Sequence, residues 1–206
     1  MDLIESIKEK ARKEPKRIVL PEGHEERTLK AADIAIKEKI AEIIVLGSPE
    51  YVLADANKLG LENVKNATII DPKNHEKKQE YVNLMVKLRG HKGLTSDEAM
   101  ILIEDPLYMG TLMIKNGDAD GEVAGADNST GDVLRPAFQY VKTKPGISVV
   151  SGAFIMILSD NEFGENGMIV FADCAVNPDP DEKELAEIAI ATKARITLIT
   201  FNLIPP

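Results

Sequence analysis

The chain has 206 residues, 44% hydrophobic and 29% charged, enough apolar content for one ordinary domain and part of another. Its net charge of −9 disfavours nucleic acid and anionic membranes as partners, because long-range repulsion opposes both encounters, so an anionic ligand has to be caught by a local positive pocket. A lone Cys174 excludes an internal disulfide, Asp2 and Glu5 interrupt the apolar start that a signal peptide would need, and the longest apolar run, 147–158, is too short and too interrupted to span a bilayer, so a reduced, cytoplasmic protein is expected.

Residues 2–14 read as a charged amphipathic helix, and 17–20 (RIVL) as a strand closed by Pro21 and Gly23. Residues 25–39 follow as a helix with Leu29, Ala32, Ile36 and Ile40 on one face. A strand at 42–46 ends in Gly47-Ser48-Pro49, which supplies a cap and a first-turn proline for a helix through Lys58, and 67–71 is a third strand. This alternation predicts an α/β fold built on a parallel sheet covered by helices. Helices are then expected at 77–88, 96–103 and 106–115, a strand at 121–126, and a helix or helix pair at 129–142. Lys144-Pro145-Gly146 reads as a linker, dividing the chain into a first domain, 1–144, and the start of a second, 145–206. Beyond it the pattern predicts a long strand at 147–158, a turn at 160–167, a strand at 168–172 and a helix at 180–194, and the closing ARITLITFNLIPP reads as an edge strand seeking a partner.

Several chemistries have no motif here. No GxGxxG follows a strand, no GxxxxGK[ST] is present, and a GxSxG or Cys/His nucleophile arrangement is missing. Asp118, Asp120 and Gly121 open like a calcium loop, but Val123 and Ser129 fall at its sixth and twelfth positions; His24, His75 and His91 are scattered, so no metal is expected.

The richest stretch is 117–146, GDADGEVAGADNSTGDVLRPAFQYVKTKPG, where small residues lead into hydroxyls at a helix start and then an arginine. Ser129 stands three before Asp132, which fits a helix cap; with Thr130 and Gly131 it also fits an oxyanion site, and both readings stand. Arg135, directly before Pro136, is a donor for the same anion or a surface partner of Asp127 or Asp132. A second basic turn, LRGHKGLT at 88–95, gathers Arg89, His91 and Lys92 between glycines, suited to a polyphosphate tail or simply to a helix end.

IVLPEGHEERTLKAA, LRGHKGLT, GDADGEVAGADNSTGDVLRPAFQ, KTKPGISVVSGAF and FADCAVNPDP, in this order, resemble the phosphate acetyltransferases, with phosphate butyryltransferases next, over residue 1 to about Thr192. The resemblance implies two α/β domains of the isocitrate/isopropylmalate dehydrogenase type, three-layer α/β sandwiches with the second incomplete here, and a homodimer. It also implies reversible acetyl transfer between CoA and phosphate, with CoA, acetyl-CoA, phosphate and acetyl phosphate as substrates and no cofactor or metal. In that chemistry CoA thiolate attacks the acetyl phosphate carbonyl and phosphate departs. By resemblance Arg89 is the arginine that binds CoA, Arg135 the catalytic arginine of the cleft, and Ser129 and Thr130 the hydroxyl pair on the phosphate side; Asn128 stands where many members carry histidine. The family's serine–arginine pair and thiol-deprotonating aspartate lie beyond this chain's length, so a truncated chain with reduced or no turnover is expected. The alternatives are a phosphate butyryltransferase, a noncatalytic CoA- or phosphate-binding remnant, or a decarboxylating dehydrogenase of shared fold, against which the missing metal carboxylates speak.

Overall fold

The computed structural model describes residues 3–143, 147–160, 162–165 and 167–200, with side chains through Lys193. The linker at 144–146 and the final tail, 201–206, lie outside them. The chain separates into two compact units, Met1–Lys142 and Thr143–Pro206.

The first unit is built around four parallel strands. These are β1 (Lys16–Leu20), β2 (Ala41–Leu46), β3 (Thr68–Ile70) and β4 (Gly121–Glu122), in the order β3-β2-β1-β4. Side chains alternate across a strand, so Val19, Ile44 and Leu46 point to one face and Leu20, Ile43 and Val45 to the other. Each face has its own core. The first packs on α4 (Lys78–Arg89), α5 (Ser96–Leu102) and α6 (Pro106–Asn116) through Tyr81, Met85, Met109 and Leu112, and the second on α2 (Glu26–Lys37) and α3 (Pro49–Lys58) through Leu29, Ala32, Val52 and Ala56. An additional helix, α1 (Leu3–Lys13), is tied to the end of α2 by the Lys8–Glu38 ion pair at 2.8 Å.

Local chemistry sets the helix starts. Glu25 accepts the Thr28 N–H, Asp105 accepts the Leu107 N–H ahead of Pro106, and Thr95 and Glu98 form a reciprocal capping box. Ser48 precedes α3 in extended geometry but makes no capping bond, leaving Pro49 as the helix-starting signal there.

The strand expected at 121–126 is only two residues long, because the backbone N–H groups of 125–128 turn toward a carboxylate instead of a neighbouring strand. The next helix, α7 (Thr130–Pro136), is followed by a π-helical turn, Ala137–Val141. Pro136 has no N–H to continue the α-helical ladder, and the Lys142 N–H reaches five residues back to the Ala137 carbonyl at 3.0 Å.

In the second unit, β5 (Ala153–Ile157) and β6 (Met168–Ala172) pair antiparallel, and α8 runs Glu182–Thr200. The long strand read at 147–158 is shortened because the Ser148 N–H is held by the Glu187 carboxylate at 2.7 Å and the Gly152 N–H by Asp173 at 2.9 Å. The closing strand is a correction: residues 194–200 continue α8. Asp181 and Glu184 box its start, and alanines at 186, 189, 191 and 194 with no Gly or Pro before Pro205 let a nucleated helix propagate through the β-branched run. Among the described residues no helix is long and apolar enough to cross a membrane.

Candidate active site

The strand order sets the place. The chain steps from β1 outward through β2 to β3 and then returns to the other side of β1 as β4, so the order reverses between β1 and β4. Helices leaving the carboxyl ends of such a strand pair diverge and leave a crevice, the usual ligand position in an open parallel sheet.

Glu22 stands just past the carboxyl end of β1, where this reversal falls. It follows β1 by two residues, is 2% exposed, and accepts the backbone N–H groups of Gly125, Ala126, Asp127 and Asn128 together with the Asn128 side-chain amide, all within 2.8–3.0 Å. Burial pushes this carboxyl up, but the hydrogen bonds from Asp127, Ala126 and Asn128 outweigh it and bring it down to about 2. The loop after β4 is thereby pinned beside β1. Two further contacts brace it: His24 Nε2 meets Asp127 at 2.9 Å, and Arg27 donates to the Ala126 carbonyl. Close approach at Gly23 makes this possible, since a Cβ there would lie 2.4 Å from the Leu46 carbonyl oxygen.

The pinned loop delivers Ser129 to the start of α7. Its hydroxyl accepts the Asp132 N–H at 3.3 Å and donates to the Asp132 carboxylate at 2.7 Å, while Arg135 donates to the other Asp132 oxygen at 3.2 Å. Ser129 and Arg135 thus converge on one carboxylate, and the exposed Thr130 begins the same turn. The cap and ion-pair readings of Ser129 and Arg135 are both realised. An anion that reaches this turn has to displace Asp132.

Arg89 lies elsewhere, at the end of α4. It lines a cavity of about 520 Å³ with Lys92, Leu94, Ile101, Tyr108 and Tyr140. A 3-10 turn, Gly90–Lys92, carries Lys92 to the same cavity, and Gly93, whose φ of 94° suits glycine, then turns the chain so that the Leu94 N–H meets the Arg89 carbonyl at 3.4 Å. Neither Ser129, Thr130 nor Arg135 lines this cavity. Tyr108, in the cavity wall, has its phenol pushed up by burial.

A second cavity, about 270 Å³, opens at the opposite end of the strands between Arg17, Thr68, His75, Lys77 and Asp118. Its cations are already neutralised, Lys77 by Asp118 and Arg17 by Asp120. Among the described residues no three His, Cys, Asp or Glu side chains converge as a metal set.

The phosphate acetyl/butaryl transferase family model matches residues 2–202, which carries the likeness past Thr192 and into the closing ARITLITFNLIPP segment. The chain belongs to that family. It is 47% identical over 192 residues to the phosphate acetyltransferase of Clostridium acetobutylicum, covering 93% of this chain and 57% of that protein. The phosphate acetyltransferase of Thermoanaerobacterium thermosaccharolyticum is 50% identical over 190 residues, covering 92% and 57%. Among solved structures, a phosphotransacetylase from Staphylococcus aureus superimposes with a TM-score of 0.85 at 41% identity, covering 96% of this chain and 57% of that one. A phosphotransacetylase from Streptococcus pyogenes does so at 0.86 and 39%, covering 94% and 58%. This chain therefore spans 57% of the length of both curated relatives.

Glu22 and Tyr140 belong to no recognisable motif of their own. For Glu22 the available signal was a lone acid between Pro21 and Gly23 at a strand's carboxyl end; for Tyr140 it was an aromatic four residues after a helix-breaking proline.

Proposed function

We propose that the protein is a phosphate acetyltransferase, moving an acetyl group reversibly between CoA and inorganic phosphate. The observation that carries this is the family match across 2–202 together with relatives of that name at up to 50% identity. In the direction of acetyl-CoA synthesis the CoA thiolate forms a C–S bond to the acetyl phosphate carbonyl. The tetrahedral oxyanion then breaks its C–O bond, and phosphate leaves with the electron pair.

Arg89 and Lys92 supply the charge that receives CoA, and the cavity beside them has the apolar walls that its organic body needs. Ser129, Thr130 and Arg135 serve the phosphate side. Arg135 reaches that role by exchanging partners: its pair with Asp132 is a single exposed contact at 3.2 Å, worth about 0–1 kcal/mol, which a doubly charged phosphate competes with on good terms. Arg135 is the catalytic cation of this reading. CoA is a substrate, and the chemistry requires neither metal nor cofactor. The same reading carries a two-domain fold of the isocitrate/isopropylmalate dehydrogenase type, supported by helices on both faces of the parallel sheet. It also carries a homodimer and a cytoplasmic location.

The test is phosphate-dependent release of free thiol from acetyl-CoA, run beside CoA binding by calorimetry. The reading expects saturable CoA binding and thiol release that, although at the reduced rate the sequence leads one to expect, rises with phosphate and falls about a hundredfold in Arg135→Ala, the scale seen when one transition-state donor is removed. CoA binding without turnover would select the noncatalytic alternative. Absence of both would overturn the reading.

A further inference from the structure

Arg89 differs from the other arginines around these sites in what stands next to it. Arg17 is held by Asp120, Arg27 by Glu25 and Arg135 by Asp132. Among the described residues Arg89 has no carboxylate or carbonyl acceptor; its guanidinium carbon instead stands over the Tyr140 ring, 5.9 Å from the centroid. That ring is 1% exposed, belongs to the core, and is met nearly edge-on by Tyr108 at 6.2 Å and 75°.

A carboxylate partner would orient Arg89 by consuming its N–H donors and cancelling its charge. An aromatic face attracts the cation and leaves the donor edge and the charge for another acceptor. The π-helical turn brings the ring there: after Pro136 the wider turn carries Tyr140 into the core and Gln139 to the cavity wall.

We propose that Tyr140 is a positioning residue for Arg89, its buried ring holding the guanidinium at the edge of the 520 Å³ cavity with its donors free for an anionic group of CoA. The proposal rests on the reading of this chain as a CoA-binding protein and adds to it the element that orients the binding cation. Tyr108 acts one step further back, as the brace that fixes the Tyr140 ring. Among the described residues the buried Tyr140 hydroxyl has no hydrogen-bond partner, so the ring face, and not the hydroxyl, is the working part.

The test is CoA binding by calorimetry on the full chain, in a cycle of wild type, Arg89→Ala, Tyr140→Leu and the double variant. Tyr140→Leu is expected to weaken CoA about tenfold, the scale of a partly desolvated cation–π contact. It should cause no further loss in the Arg89→Ala background, whereas a merely structural role for Tyr140 would lower affinity in both. Tyr140→Phe, which keeps the ring, should stay within about twofold of wild type, since it alters only the unpartnered hydroxyl. Should Tyr140→Leu fail to fold, a series of progressively fluorinated phenylalanines at position 140 keeps the shape while draining the ring face, and affinity is expected to fall along it. Equal losses in the two backgrounds, or a flat fluorination series, would overturn the proposal while leaving the CoA reading intact if Arg89→Ala still weakens binding. Wild-type protein that does not bind CoA would overturn both.

Discussion

Two glutamates at neighbouring strand ends are driven in opposite directions by their surroundings. Glu22 is held at about 2 despite its burial because five N–H donors converge on it. Its folded value lies below the ordinary 4.5, so its contribution to stability is complete above that pH and is lost as pH falls toward 2. The shift corresponds to roughly 3 kcal/mol. Glu22→Gln puts an amide where the loop offers only donors, and is expected to cost about 3 kcal/mol at pH 7 and little near pH 2, read from urea midpoints at the two pH values. Glu122 is the reverse case. Burial lifts it to about 7, the Thr111 hydroxyl opposes this, and the nearby Glu22 and Asp105 charges add to it. Its folded value lies above 4.5, so the stability it provides is complete below that pH and is lost as pH rises through 7. Glu122→Gln should therefore stabilise the protein by up to roughly 3 kcal/mol at pH 8 and leave it nearly unchanged at pH 4.5. An equal gain at both would mean that Glu122 ionises like an ordinary surface acid.

At the level of elements, the crevice depends on how tightly β1 and β2 run together at their carboxyl ends. A Cβ at Gly23 would meet the Leu46 carbonyl oxygen at 2.4 Å and Val45 Cγ1 at 2.6 Å, and the first of these is backbone that cannot swing aside. Gly23→Ala is expected to cost about 3 kcal/mol by overpacking and to loosen the Glu22 clamp, seen as a fall in melting temperature with faster amide exchange at 125–128. Normal protection at those amides would show that the strand ends yield without disturbing the loop. The helices and strands of the first unit were legible because each carries a period of its own and a marked boundary, as with Asp105-Pro106 opening α6 and Gly117 closing it. The strand at 121 was legible, but its two-residue length was not. GEVAGAD has strand-like composition, but its N–H groups from Gly125 onward answer to Glu22, about 100 residues earlier, and no local pattern shows such a partner. The tail failed for a related reason. ARITLIT taken alone favours a strand, whereas in the chain it extends a helix that began at Glu182. Ser129 and Arg135 stand out in the sequence by residue type and spacing, but their shared engagement with Asp132 and the placement of Arg89 over an aromatic ring are matters of geometry between elements.

Across the whole molecule, burial is unevenly shared between the two units. Both core clusters, with Tyr81, Tyr140, Leu29, Leu46 and Leu112 fully enclosed, lie in the first unit. In the second, Val149 and Ile188 are the buried apolar side chains among the described residues, while Phe154, Met156, Ile157, Phe171, Leu185 and Ile190 are exposed. A fully buried large aliphatic or aromatic side chain contributes about 1.5–3 kcal/mol, so two such residues offset little of the conformational entropy of ordering a hairpin and a helix. The second unit should therefore unfold at lower denaturant than the first. The tyrosines make this separable, because all four, Tyr51, Tyr81, Tyr108 and Tyr140, lie in the first unit and the chain has no tryptophan. Tyrosine fluorescence reports the first unit alone, whereas far-ultraviolet circular dichroism sees the backbone of both. In a urea titration the circular dichroism signal is expected to begin its fall about 1 M or more before fluorescence changes, the spacing that a few kcal/mol of stability difference produces at ordinary denaturant sensitivity. Early protease cuts should fall between 147 and 200 during that interval. Coincident curves by both probes would instead mean that the two units unfold as one, and the exposed apolar faces of the hairpin and α8 would then need a stabilising partner in solution.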